Sequence, residues 1–413
     1  MIRSLEVRNF RMLRANRVSL TPFQVLVGPN AAGKTTFLDA LQFVTDVLSL
    51  GVGEAVARRT PSFYDLCYDA DRPIAFAVEV DAANGDASDG PRAALRHEME
   101  IGIGGSGGLR ILRENLFFST WVRGPDVVEP SLFGPEHLGP VVHPAQPRGW
   151  RKIVGKTPEG RDYFRDEKTE WNSMFRFGED RSAFGSLPED PERFPLSLRA
   201  KELLREGVRR LALEPRRLQA SSPPGGKPVL GLDGSGLPNV VKDLSERDPL
   251  LFDQWKKHVA TAVPGLEDIG VSVREEDRHL VLSARFAGEH GNPVPSWLLS
   301  DGTLRLMALS VLSYSARPDR RVVYLVEEPE NGLNPLAIQA AFQAIAQPGA
   351  GVQWLCATHS PVFLAHVTLD DALVFRRRDD GSALVRRGPE VPELDRWSGG
   401  ASLADLLVMG VLS

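Results

Sequence analysis

The stretch Gly28-Pro29-Asn30-Ala31-Ala32-Gly33-Lys34-Thr35 constrains this chain more than any other. It fits the pattern G-x-x-x-x-G-K-[ST] in full, and the residue types explain why. The glycines, Gly28 and Gly33, let the backbone N–H groups of the loop, Asn30 among them, curl around a phosphate. Lys34 sets a point charge near terminal phosphates, and the Thr35 hydroxyl can ligate Mg²⁺. Just before the loop, residues 23–27 are apolar apart from Gln24. Just after it, Phe37, Leu38, Leu41, Val44, Val47 and Leu48 recur at helical spacing. A buried strand, a glycine turn and a helix with its positive end toward the anion are therefore expected. The competing reading, a fortuitous glycine-rich turn, does not account for the flanking strand and helix.

A second signal is Val322-Val323-Tyr324-Leu325-Val326-Glu327-Glu328, an apolar strand that delivers two adjacent acids at its C-terminal end. Ligands of open α/β sheets bind at that end. Side chains alternate along a strand, so the two acids face different ways. One can hold Mg²⁺ through water while the next orients an attacking water. Acids in this position also serve as helix caps, and only the phosphate loop upstream favours chemistry. Leu299-Ser300-Asp301-Gly302-Thr303 precedes a helix with apolar Leu304, Leu306, Met307, Leu309 and Val311. Ser300, Gly302 and that helix N-terminus offer a second anion-binding surface, or simply a cap. Ala357-Thr358-His359-Ser360-Pro361 follows another buried run. A lone histidine is commonly structural, but His359 is expected at the same sheet end as Glu328.

The rest of the chain bounds the answer. Its 413 residues allow one large domain or two to three modest ones. With 49 Lys+Arg against 54 Asp+Glu the net charge is -5, which excludes a protein that coats nucleic acid by bulk positive charge. Cys67 and Cys356 give neither a disulfide framework nor metal-site spacing. No apolar run is long enough for a membrane span and the N-terminus lacks a signal-peptide core, so a cytoplasmic, membrane-free protein is expected. A strand is expected over 2–7, and strands over 74–80, 99–103 and 109–118, separated by turn-rich 84–90 and 104–108, read as an antiparallel subdomain. Residues 122–192 are rich in Pro, Gly and charge, with weak periodicity, and read as an insertion. Its basic residues Arg148, Arg151, Lys152 and Lys156 read as solvated surface. A helix is expected over 196–211, helices over 238–244 and 250–262, and strands over 269–273 and 280–286. The C-terminal third alternates helix, strand, helix and strand, which gives a parallel sheet with crossovers. A strand over 372–375 and a closing helix over 403–409 complete it. No internal repeat or sustained heptad pattern is present.

The four motifs, in this order, resemble the ATP-binding cassette (ABC) ATPases, and more narrowly the branch that includes SMC proteins, RecF and the OLD family. Residues 28–36, ending in Thr36, are similar to the Walker A motif, and 299–303 to the branch's signature motif. Glu327-Glu328-Pro329-Glu330-Asn331-Gly332-Leu333-Asn334-Pro335 resembles the Walker B motif and D-loop of OLD-like ATPases. Thr358-His359-Ser360-Pro361 resembles their switch-histidine motif. Asn9-Phe10-Arg11 resembles the opening strand, whose basic residue lies near the nucleotide. The resemblance spans roughly 1–50 and 210–365.

It implies an α/β fold: a P-loop NTPase with an ABC-type mixed sheet, an N-terminal antiparallel β subdomain and an inserted helical lobe. The expected division is 1–121, a variable insertion 122–212, a helical/β lobe 213–300 leading to the signature, and 301–413. It implies ATP and Mg²⁺, with Lys34 and the loop on the phosphates, Thr35 and Glu327 on the metal, Glu328 polarising water and His359 sensing the γ-phosphate. Arg11 is expected near the nucleotide. Ser300 and Gly302 would act in trans on a second copy's nucleotide, and Asn334 would lie in the loop that couples the two sites. Gln219 is the candidate for the family's nucleotide-sensing, metal-side glutamine. Glu327 stands where most relatives carry Asp, and Asn334 where His or Asp is usual. OLD nucleases carry a nuclease domain after the ATPase; only residues 360–413 follow His359 here, too few for one. The expected function is therefore an ATPase whose ATP-dependent homodimer controls DNA repair or phage defence through a separate nuclease or other effector. The alternative is a regulatory switch in a toxin/effector pair with little direct DNA contact.

Overall fold

Strands that are apolar on both sides need cover on both faces, and the chain supplies it in layers. The computed structural model describes residues 1–82, 94–105, 107–119, 139–157, 162–169, 171–288, 292–317, 319–395 and 402–409. In order come β1 (Ile2–Phe10), β2 (Leu13–Ser19), β3 (Phe23–Val27), α1 (Lys34–Leu50), α2 (Val52–Ala57), β4 (Ile74–Asp81), β5 (Ala94–Ile103) and β6 (Leu109–Ser119). Next are β7 (Trp150–Lys156), β8 (Asp162–Arg165), β9 (Asn172–Phe175), α3 (Pro195–Glu202), β10 (Val208–Leu211) and α4 (Pro215–Leu218). Then come α5 (Leu237–Arg247), α6 (Pro249–Ala260), β11 (Leu266–Val273), β12 (Leu280–Phe286), β13 (Val294–Pro295) and α7 (Asp301–Tyr314). The chain closes with β14 (Val322–Glu327), α8 (Pro335–Ala346), β15 (Val352–Ala357), α9 (Pro361–Leu364), β16 (Ala372–Arg377), β17 (Ala383–Arg387), α10 (Pro392–Asp395) and α11 (Leu403–Val408).

The central sheet has the order β10-β14-β15-β3-β16-β17, parallel except for β17. Alternation sorts its side chains into two cores. Leu26, Val323, Leu325, Leu355, Leu373 and Phe375 join α1 and the antiparallel sheet. Val25, Val27, Val326, Trp354, Cys356 and Val374 join the helices α5 to α9. The antiparallel sheet has the order β2-β1-β4-β5-β6-β7-β8-β9. Phe10 of β1, Phe43 of α1 and Phe76 of β4 meet with ring centroids 5.4 to 5.6 Å apart, which locks that sheet onto α1. The buried Gln353 of β15 clips the two sheets together: it accepts from Ile2 N at 3.0 Å and donates to Ile2 O at 2.9 Å. Between β10 and α7, helices α5 and α6 and the three-stranded sheet β11-β12-β13 form the helical lobe. Trp255 of α6 fastens it by donating to Ser310 Oγ of α7 at 2.9 Å.

This is the α/β architecture expected, with its mixed sheet, antiparallel sheet and helical lobe, but two stretches differ from their reading. Residues 196–211 do not form one helix. After α3 the chain makes a π-helical turn, Leu203–Gly207, and becomes β10, an edge strand beside β14. Gly207 packs so closely on the Arg321 carbonyl that a Cβ there would lie 2.7 Å from its oxygen. The stretch 122–192 carries β7, β8 and β9, which extend the antiparallel sheet. Its basic residues are not all solvated surface. Lys156 is buried, donates to Gly178 O at 3.0 Å and pairs with Asp162 at 3.5 Å. The expected turn over 84–90 lies outside the described residues, as do 122–138.

Candidate nucleotide site

Three parallel strand ends place the site. Glu327 of β14 pairs with Ala357 of β15, and Ala357 pairs with Leu26 of β3. Glu328, the Thr358-His359 turn and the loop beginning at Gly28 therefore leave the sheet at one level. The loop needs its glycines. Gly28 (φ 149°) runs so close to β16 that a Cβ would sit 2.3 Å from the Phe375 carbonyl oxygen. Gly33 (φ 107°) is left-handed and begins α1, with Met12 and Ala383 packed against it. Lys34 is buried, and its Nζ donates to the carbonyls of Gly28 at 2.6 Å and Pro29 at 2.9 Å. Burial draws its ammonium below the usual lysine pKa, opposed by the charges of Glu328 and Glu327. Asn30 is exposed on the loop, and Thr36 is half-buried in the first turn of α1.

Thr35 Oγ1 donates to Glu327 Oε2 at 2.5 Å. A hydroxyl and a carboxylate, both oxygen donors, side by side at a helix N-terminus suit Mg²⁺. The other oxygen, Glu327 Oε1, accepts from the Arg210 guanidinium of β10. Arg210 was not singled out from the sequence. Its signal was hidden in an arginine-rich stretch read as helix, and only the pairing of β10 with β14 reveals it. Glu328 adopts φ 48°, a conformation that non-glycine residues seldom hold outside functional turns. Its N–H donates to Ala357 O at 2.8 Å, and His359 Nδ1 donates to its Oε1 at 2.7 Å. The geometry thus joins Thr35 with Glu327 and Glu328 with His359.

The remaining candidates lie around this centre. Ser300 caps α7: its Oγ accepts from Thr303 N at 3.1 Å, and its hydroxyl is exposed. Gly302 lies on the turn after Glu330; a Cβ there would sit 2.6 Å from the Gly332 carbonyl oxygen. Asn334 caps α8, its Oδ1 accepting from Ala337 N at 2.9 Å. Gln219 is not joined to Thr35 or Glu327; its Nε2 donates to Asp301 Oδ1 at 3.1 Å, on the α7 side. Arg11, in the left-handed turn between β1 and β2, pairs with Asp39 of α1 at 3.1 Å.

Known proteins carry parts of this pattern. Residues 1–89, which contain the phosphate loop, match the family model described as "AAA ATPase domain". Residues 241–365, which contain Ser300, Glu327, Glu328 and His359, match the one described as "AAA domain, putative AbiEii toxin, Type IV TA system". The chain is similar to a solved Smc head bound to the C-winged helix domain of ScpA (TM-score 0.51, 16% identity, 93% of this chain and 97% of that one). It also matches a Smc head domain with an extended coiled coil, bound to the C-terminal domain of ScpA, from Pyrococcus furiosus (TM-score 0.48, 12% identity, 97% and 99%). No curated protein matches the chain. Its fold is that of an SMC head, and its residues 1–89 and 241–365 are similar to AAA ATPase domains: the chain has a P-loop fold of the SMC-head type that carries AAA ATPase-like sequence in two stretches.

Proposed function

We propose that the chain binds ATP with Mg²⁺, hydrolyses it, and does so between two copies of itself. The observation that carries this reading is the meeting of Lys34, the Thr35–Glu327 bond and the Glu328–His359 bond at the ends of three adjacent parallel strands. The loop N–H groups and Lys34 hold the β- and γ-phosphates, and a nucleotide would draw Lys34 away from the carbonyls it now bonds. Thr35 and Glu327 hold Mg²⁺, which offsets phosphate charge as the γ-phosphoryl leaves. Arg210 keeps the Glu327 carboxylate aimed. Glu328 polarises the attacking water, and His359 holds Glu328 and reads the γ-phosphate. Catalysis is positioning and electrostatics. The exposed Ser300 and the N-terminus of α7 serve the second copy's nucleotide, in a head-to-tail pair that satisfies both sites at once.

The output of such a switch passes to a separate effector, in a cytoplasmic setting of DNA repair or phage defence, as in the OLD-like ATPases. No helix among the described residues is long and apolar enough to cross a membrane. The second reading, a switch in a toxin/effector pair with little DNA contact, is favoured by the similarity of 241–365 to a family that includes a putative AbiEii toxin of a Type IV TA system. Salt-dependent DNA binding supports the first reading, and ATP-dependent co-purification of a small effector supports the second. The nucleotide assignment itself is tested with Lys34→Ala, which is expected to lose ATP binding in equilibrium titration. Undiminished affinity in that variant removes the phosphate-loop role.

A further inference from the structure

The carboxyl of Glu330 has no role in the account so far, yet it lies under the centre of the site. After the strained turn at Glu328 the chain passes Pro329 and drives Glu330 inward, to 8% exposure. One oxygen, Oε1, accepts from the Thr358 hydroxyl. Thr358 Oγ1 in turn accepts from Ser360 N at 2.9 Å, so this contact holds the turn that carries His359. The other oxygen, Oε2, is buried and has no donor to accept from. The Glu328 carboxylate, two residues back on the same turn, is near enough to act on Glu330. A buried carboxyl with a second carboxyl beside it, and an oxygen that has no donor, favours the protonated form. One neighbour, a cation, opposes that proton. Arg305 of α7 donates to the Glu328 backbone carbonyl at 3.4 Å and leaves its buried Nε unpartnered, and its charge acts on Glu330. Cys356, beneath, is a buried thiol whose pKa is raised. Burial first, and the Glu328 carboxylate second, push the Glu330 pKa up to about 7 despite the hydrogen bond from Thr358.

We propose that Glu330 is a positioning residue: it donates a hydrogen bond from Oε2 to the Glu328 carboxylate and accepts one at Oε1 from Thr358. It thereby fixes the water-polarising acid and the His359 turn to each other. Because Arg305 sits one turn beyond Ser300 and touches the same segment, the signature helix is tied to its own chain's hydrolytic acid. This inference rests on Glu328 being the residue that polarises water.

The test compares wild type, Glu330→Gln and Glu330→Ala, measuring ATP binding and steady-state hydrolysis with Mg²⁺. Loss of the positioning contact is expected to lower kcat about 100-fold in Glu330→Ala, with KM and ATP affinity within about twofold of wild type. Glutamine can donate to Glu328 and accept from Thr358, so Glu330→Gln is expected to recover kcat to within about threefold of wild type. Wild-type turnover in Glu330→Ala, or a Glu330→Gln variant as slow as the alanine, overturns the proposal. Infrared spectroscopy supplies a reading that needs neither turnover nor the alanine variant. A protonated-carboxyl stretch is expected in wild type near neutral pH and absent in Glu330→Gln, and its absence from wild type also overturns the proposal. A wild type that binds ATP without hydrolysing it removes the hydrolysis reading, while the infrared band still decides whether the pair shares a proton.

Discussion

Glu330 makes a residue-scale prediction that requires no nucleotide. Its folded-state pKa is raised from 4.5 to about 7, so the folded chain holds this proton more tightly than the unfolded chain does. The resulting stability is fully present below the ordinary value and is lost as pH rises through the interval up to about 7. The stability advantage of wild type over Glu330→Gln is therefore expected to shrink across that interval, read as converging urea midpoints. Midpoints that stay parallel across it remove the shifted proton. At this scale the sequence was most legible where chemistry dictates spacing. Gly28, Gly33, Lys34, Thr35, Glu327, Glu328 and His359 were all found from short patterns, and the structure sets them around one point. Arg210 and the arrangement about Glu330 were not legible. Both depend on which strand or turn lies alongside, which local pattern does not carry.

Among the elements, α7 is set hard against the turn after β14. The contact of Gly302 with the Gly332 carbonyl leaves no room for a methyl group on backbone that cannot swing aside. Gly302→Ala is expected to cost about 1–3 kcal/mol of stability, seen as a lower thermal midpoint. It is also expected to slow hydrolysis, because moving α7 moves Arg305 and with it the Glu328 carbonyl. An unchanged midpoint would show that the turn yields freely. The strands β3, β14 and β15 were legible because burial on both faces leaves short runs that are apolar but for Gln24 in β3, Gln353 in β15 and the closing Glu327 of β14. β10 was not: its buried Val208 and Leu211 stand three apart, a spacing that suits a helix face as well as an edge strand. β7, β8 and β9 were obscured by charge, since residues such as Lys156 and Asp162 are buried as a pair rather than exposed.

For the whole molecule, the layered arrangement has one consequence for assembly. The central sheet collects the glycine-rich loop, Glu327, Glu328 and His359 on one chain, but Ser300 spends its hydroxyl on its own helix and stays open to solvent. In the proposed pair, a γ-phosphate bound by the loop would be covered by the same serine of a second copy. The α/β layering was legible from the alternation of strands and helices. The pairing of two copies is not a property that a single chain displays, and it rests on the chemistry of an anion site with one open side. Light scattering on Glu328→Gln, which is expected to hold ATP without consuming it, is the direct measurement. With ATP and Mg²⁺ the account predicts a mass twice that of one chain, falling back when ADP replaces ATP and absent when Ser300→Arg is added. A nucleotide-loaded Glu328→Gln protein that keeps the mass of a single chain would contradict it.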